Sequence, residues 1–279
     1  MRLLFEELAK KPLLSEDRIW NYKDWIGNAN KARKTLTEEG KAPDKKSNQY
    51  DKAEELITFY VFAPLCLRED KARIVQEMLR LADIKIDVGR IKRLSFEKQF
   101  PPPKGYLKWL AGHVAEHPVR YLRKQAIDHI KRGKTLETNT HVDFAVETGN
   151  LLILIEMKFM SDISVQTTFN PYRNQLARLV DVGIQVAMEK GKRLIVLLCS
   201  PSAFFVTKSR LYFYKIKEYA DYKEIYKDIG WRSQEDIEKY LLSVSWIPIE
   251  ELTRIIYSNF EHSDKKEALD FFAERNIVS

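Results

Sequence analysis

The residues able to do chemistry concentrate in one stretch. Asp143 lies early in the apolar run 141–148, and Glu156 and Lys158 lie late in the apolar run 151–159. Between the runs stands Gly149-Asn150, a two-residue hairpin signal. With that turn Thr148 faces Leu151, and counting back sets Asp143 directly opposite Glu156. Lys158, two residues on, shares their face, and His141 falls opposite it. Two carboxylates and an ammonium are thus predicted to meet inside strands of Val, Ile, Leu and Phe. Charges there are costly unless they pair or bind a metal. Asp143 and Glu156, with the backbone carbonyl of Met157, make an oxygen donor set for a hard cation such as Mg²⁺ or Mn²⁺. Such a cation acidifies water and neutralises phosphoryl charge. Lys158 beside it would orient the attacking water or stabilise the transition state. The expected chemistry is hydrolysis of a phosphodiester.

The elements that must position these residues read as follows. Residues 1–99 have helical spacing, with Ser15 as an N-cap before Glu16 and Asp17, and Ile19, Trp20 and Ile26 on one face. A Lys-rich stretch, 37–48, reads as a loop. Helices are predicted over 53–67 and 71–82, with Pro64 kinking or ending the first. Pro101-Pro102-Pro103 is the clearest breaker, so a helical N-terminal region, 1–100, is separated there from a second domain, 101–279. Two helices follow, 106–117 and 119–131, divided by Pro118. The second carries Arg120, Arg123, Lys124, Lys131 and Arg132 against Asp128 alone among the acids, which suits contact with phosphates. Residues 135–138 read as a first strand, ahead of the hairpin. Asn170-Pro171 opens a helix that Gly191 stops. On that helix Gln175 and Arg178 share a face, as do Asn174 and Arg178. Residues 193–199 form a buried strand. From Ser202 the chain is helical and Tyr-rich, with 246–249 as an extra strand and Ser263-Asp264 capping a last helix. The order helix, strand, strand, strand, helix, strand argues for an α/β protein with a mixed sheet flanked by helices.

The pattern Asp143, then Glu156-Met157-Lys158 on the next strand, resembles the PD-(D/E)XK nuclease superfamily, the restriction-endonuclease-like fold. Gln175, in Arg173-Asn174-Gln175-Leu176-Ala177-Arg178, stands where that superfamily often carries a Gln. The resemblance covers about residues 104–200 and leaves the helical N-terminal extension outside. It implies Mg²⁺-dependent cleavage of nucleic acid, DNA first, with Asp143 and Glu156 ligating metal and a catalytic role for Lys158. It places Gln175 near the metal and Arg173 or Arg178 on phosphate. Val142 replaces the family's proline. The additional acid often found on the first core helix has two candidates, Glu116 and Glu137. Enzymes of this fold that cut duplexes often pair, so a homodimer is compatible with the resemblance.

The totals agree with a polyanion partner without requiring one: 279 residues, net charge +7 and pI near 9.1. Cys66 and Cys199 read as reduced core residues, and the early charges of the N-terminus argue against a signal peptide, so a cytoplasmic protein is expected. No apolar run reaches membrane-spanning length. Three rivals compete with the nuclease. One is an inactive nucleic-acid-binding protein of the same fold, its charges held as a buried ion pair. Another is a binder using the basic helix and the Tyr-rich C-terminal part. The third is a zinc peptidase, since His113-Val114-Ala115-Glu116-His117 matches H-x-x-E-H, with Glu189 as a further ligand. The first two keep the nucleic acid; the binder and the zinc peptidase leave the charged hairpin unexplained, whereas the nuclease and its inactive form both account for acids buried beside a lysine.

Overall fold

The computed structural model describes residues 2–8 and 54–277. The N-cap at Ser15, the face of Ile19, Trp20 and Ile26, and the loop 37–48 lie outside the described residues. After α1 (Arg2–Leu8) come α2 (Glu54–Leu67) and α3 (Lys71–Leu81), then β1 (Ile91–Phe100). Next are α4 (Lys104–His113), a 3₁₀ turn (Val114–Glu116), α5 (Arg120–Lys131), β2 (Thr140–Thr148), β3 (Leu151–Met157), α6 (Gln175–Lys190) and β4 (Arg193–Ser200). Four short helices follow: α7 (Ser202–Val206), α8 (Leu211–Glu218), α9 (Tyr222–Asp228) and α10 (Gln234–Tyr240). The chain closes with β5 (Leu241–Pro248), α11 (Ile249–Tyr257) and α12 (Lys265–Ala273).

The five strands lie in chain order across one mixed sheet. β1, β2 and β3 run antiparallel as a meander, and β4 and β5 are parallel to β3. The parallel step from β3 to β4 needs a crossover, which α6 provides. Helices cover both faces. On one, α2, α3, α11 and α12 bury Phe144, Ile153, Ile155 and Leu197. On the other, α6 and α8 to α10 bury Leu152, Leu154, Val196 and Leu198. The strands β3 and β4 are therefore apolar on both sides, as parallel strands between two helical layers must be.

Two packing details fix the layers. The Phe62 ring stacks on Phe144 at 4.2 Å, tying α2 to β2. At Gly183 a side chain would come within 2.7 Å of Leu194, so α6 approaches the sheet as closely as a backbone can. Pro64 does not end α2. Lacking an N–H, it frees the Tyr60 carbonyl, and the Tyr257 hydroxyl donates to that oxygen at 2.6 Å.

The fold differs from the sequence reading at several points. The first strand is β1, inside the stretch read as helical, whereas residues 135–138 pair with no strand. β1 pairs along β2 from Ile91 to Phe100, so the three prolines follow the first strand of the sheet and lead into α4. Helix α6 begins at Gln175, not after Asn170. The Asn170 side chain accepts from the Tyr172 N–H in a local turn, and Asn174 caps the helix by accepting from the Ala177 N–H at 2.9 Å. Its end at Gly191, with φ 61°, matches the expectation. Ser263-Asp264 does precede α12, but the Asp264 carboxylate accepts from the Leu4 N–H in place of capping its own helix.

Candidate active site

The hairpin has the expected register. Phe144 pairs with Ile155 and Glu147 with Leu152, which carries Asp143 opposite Glu156. Asp143 Oδ2 accepts from the Met157 N–H at 2.6 Å, so the Met157 peptide sits at the acid. Lys158 follows the last residue of β3, and its own N–H donates to the Cys199 carbonyl of β4. Its Nζ lies 2.9 Å from Glu156 Oε1.

Two helix starts converge on this end of β3. Gln175, first residue of α6, donates through Nε2 to Glu156 Oε1 at 2.5 Å, and its Oε1 accepts from the Ser164 N–H. From the opposite layer comes Glu54, first residue of α2. Its Oε2 accepts from Lys158 Nζ at 2.9 Å, and its Oε1 accepts from the Phe159 N–H at 3.2 Å and from the Ser161 hydroxyl. Glu54 is the member of this cluster that sequence reasoning missed. The acid expected from the first core helix was sought at Glu116 and Glu137, and neither reaches the cluster. Glu116 lies in the 3₁₀ turn and lines a cavity beside α4. Glu137 is buried against Tyr106, Arg173 and Arg178. The one signal for Glu54 is an acid heading an otherwise almost wholly apolar helix.

Burial pushes the Glu156 carboxyl above the ordinary range, and the Lys158 ammonium pulls it partly back. Asp143 is raised further, first by burial and then by the neighbouring Glu156 charge. Burial opposes the Lys158 charge, but Glu156, Glu54 and Asp143 outweigh it and hold its pKa above the ordinary lysine range. Lys158 is therefore an ammonium at neutral pH, a hydrogen-bond donor and a source of positive charge, and no base. Three acids surround one ammonium, and the Arg178 guanidinium also acts on Glu156. The cluster is open on one side: Asp143 and Glu54 are half-buried and Ser161 is exposed.

The basic residues separate into two groups. Arg120 and Lys124 are exposed on α5 and Arg123 is half-buried. Arg173 is not available for phosphate. It is fully buried, 2.8 Å from Asp181 and 3.2 Å from Glu137, with its guanidinium 3.8 Å from the Tyr106 ring. Asp181 also accepts from Arg232 and Trp231, so Arg173 belongs to an internal network that pins α6 to the segment after α9. Arg178 is about one-quarter exposed. It reaches the carbonyls of Thr138 and Asn139, and its charge bears on Glu156. His141 is exposed on β2. Asp162, in the loop after β3, accepts from the N–H groups of Leu211 and Tyr212 and so anchors α8.

The H-x-x-E-H string does not form a zinc pair. α4 ends at His113, and the 3₁₀ turn then breaks the one-face spacing that two helical ligands need. His113 Nδ1 is engaged with the Trp109 carbonyl and His117 Nδ1 with the Val119 N–H, while Glu189 accepts from Gln185 on its own helix. Among the described residues no group of three or more His, Cys, Asp and Glu side chains forms a ready metal cage. Cys66 and Cys199 are both buried and free, and no helix among the described residues is long and apolar enough to cross a membrane. No family model, curated protein or solved structure matches the chain.

Proposed function

We propose that this protein is a divalent-cation-dependent nuclease of the PD-(D/E)XK kind, with a restriction-endonuclease-like core, cutting phosphodiester bonds in DNA. The observation that carries the reading is the convergence of Asp143, Glu156 and Lys158 with Gln175 and Glu54 from opposite helical layers. A sheet this apolar has no packing reason to gather three acids around one amine.

The donor chemistry fits Mg²⁺ or Mn²⁺. Mg²⁺ is typically held by one or two carboxylates with water and substrate oxygens completing the shell, not by an all-protein cage. Asp143 and Glu156 supply the carboxylates and Met157 a peptide oxygen, and both carboxyls have pKa values raised first by burial, a cost that a bound cation would offset. Bound there, the cation would supply positive charge to phosphoryl oxygens and acidify water. The chain does the rest. Met157 N–H orients Asp143, and Gln175 orients Glu156. Glu54 holds Lys158 charged and in place, so that its ammonium donates to the phosphoryl oxygen on which charge builds. Arg120 and Lys124 would contact flanking phosphates without reading sequence.

One observation favours a second reading, an inactive binder of the same fold: Lys158 is already engaged by both Glu54 and Glu156. A cleavage screen separates the two. Linear, circular, branched and single-stranded substrates are offered with Mg²⁺, Mn²⁺ or EDTA. The nuclease cuts at least one of them with a divalent ion and none in EDTA; a protein that binds but never cuts is the inactive form.

A further inference from the structure

The acid cluster has a second basic neighbour besides α5. Residues 201–217, which form α7, most of α8 and the turn between them, hold Lys208, Arg210, Lys215 and Lys217 and no acid. Lys215 is taken by Glu218 and Asp228, whereas among the described residues Lys208, Arg210 and Lys217 pair with no carboxylate. Lys208 and Lys217 are exposed, and Arg210 is half-buried.

Direct contacts tie this segment to the cluster. Arg210 Nη2 donates to the Met160 carbonyl at 3.0 Å. Met160 stands between Phe159 and Ser161, whose N–H and hydroxyl both donate to Glu54. Asp162, two residues past Met160, accepts from the Leu211 and Tyr212 N–H groups at the start of α8. The charges of Arg210, Asp162 and Glu54 all bear on the Tyr212 hydroxyl. The guanidinium is thus held at the peptide whose two neighbours bind Glu54. Phe204 fixes its plane, with the ring centre 4.9 Å from the guanidinium carbon. Its Nε is buried; Nη1 is not, and has no protein partner among the described residues.

From Arg210 a row of side chains runs outward along α8. Tyr214 and Lys217 follow at i+4 and i+7, the spacing of one helix face, and both are exposed. Lys208 joins the row at Phe213, whose ring centre lies 6.0 Å from the Lys208 ammonium and 4.6 Å from that of Lys217. Seven residues of helix rise about 10 Å, the length of about three nucleotide steps along one strand. Cations interleaved with an exposed aromatic ring suit a nucleic-acid strand, whose phosphates meet the charges and whose bases stack. α8 packs on β5, and α5 lies with Thr138 ahead of β2, so the two basic faces flank the end of β3 from opposite edges of the sheet. We propose that the turn before α8 and this face of α8 bind the nucleic-acid strand next to the bond being cut, with Lys208, Arg210 and Lys217 on phosphates within about three nucleotides of it. The inference rests on the nuclease reading and gives its substrate a course away from the acid cluster.

The test uses the full chain in EDTA, so that nothing is cut. Binding of a mixed-sequence duplex and of one of its single strands is followed by anisotropy over a range of salt concentrations. Each phosphate contact contributes about 0.9 to the slope of log K against log salt on a duplex and about 0.7 on a single strand. Lys208→Ala, Arg210→Gln and Lys217→Ala combined should therefore lose about 2.7 or 2.1 of slope. At 0.1 M salt that is a fall in affinity of about 500- or 100-fold, the same for unrelated sequences. Lys208→Ala with Lys217→Ala, at exposed sites, should lose two-thirds of the slope change and keeps the test valid if Arg210→Gln disturbs the loop. Lys85→Ala, Arg90→Gln and Lys92→Ala remove the same charge from exposed sites near Ile91, which pairs with Thr148 at the turn end of the hairpin, away from Asp143. That control should keep the slope. An unchanged slope in the variants of the α8 face, or an equal loss in the control, would overturn the proposal. So would binding to phosphatidylserine vesicles, abolished by the same substitutions, with none to DNA. The two proposals fail separately. Cleavage with an unchanged slope removes the face and keeps the nuclease; a lost slope without cleavage by any divalent ion removes the nuclease and keeps the face.

Discussion

Replacing Lys158 by methionine keeps the length of the side chain and removes its charge. Its Nζ lies 2.9 Å from both Glu54 Oε2 and Glu156 Oε1, with the side chains of Lys158 and Glu156 almost fully buried and that of Glu54 one-fifth exposed. At an effective dielectric of about 20, unit charges at that separation attract by roughly 6 kcal/mol. Desolvation of the ammonium cancels a large share, and breaking a buried pair on one side costs about 3–5 kcal/mol. The deficit depends on pH with a definite sign. Asp143 and Glu156 already have pKa values above those of the unfolded chain, and losing the ammonium raises them further. The folded variant therefore binds more protons than its unfolded chain over that window, and its stability falls as pH rises through it. Urea unfolding in EDTA should show a small deficit against wild type near pH 4 and the full one near pH 8. Mg²⁺ at 100 times its Kd should return about 2.7 kcal/mol at the higher pH. A deficit under about 1 kcal/mol at pH 8, or one equal at both pH values, would refute this account of the cluster.

Other outcomes follow from particular contacts. Gln175→Ala frees the Glu156 carboxylate and should lower cleavage about 10- to 100-fold, the usual effect of losing an orienting partner at a metal ligand, with DNA affinity unchanged. Arg173→Ala leaves Glu137 and Asp181 short of a buried partner and should cost about 3–5 kcal/mol in urea unfolding. Were Arg173 a phosphate contact, the same change would weaken DNA binding and spare stability. Gly183→Ala pushes a methyl group against Leu194 and Leu154 and should cost about 1–3 kcal/mol by the same assay, with no other role at stake.

The hairpin was legible because its determinants are local. A Gly-Asn turn between two apolar runs sets the register, and the register alone sets which acids meet. The stop at Gly191 and the buried run of β4 are equally local. β1 was not legible. Its charged edge-strand sequence, Ile-Lys-Arg-Leu-Ser-Phe-Glu-Lys-Gln-Phe, has no clean alternation, and pairing with β2 some fifty residues later decides its state. The prolines mark a break in the chain, and no local pattern tells that the strand before them belongs to the same sheet as the hairpin. Glu54 is about a hundred residues from Lys158 in sequence and reaches it because Phe62 stacks on Phe144. Arg173 and Arg178 look alike in sequence. The network around Asp181 buries the first, and no local pattern announces that.

Single-turnover cleavage of end-labelled DNA is the most direct test of the catalytic assignment, with binding followed in parallel for wild type, Asp143→Asn and Lys158→Ala. Cutting by wild type in Mg²⁺ and none in EDTA is predicted. Lys158→Ala should lose about 10²–10³-fold in rate, the usual loss on removing one transition-state donor, and both variants should keep their DNA affinity. Undiminished cutting by either variant, or no cutting by wild type with any divalent ion, would contradict the assignment.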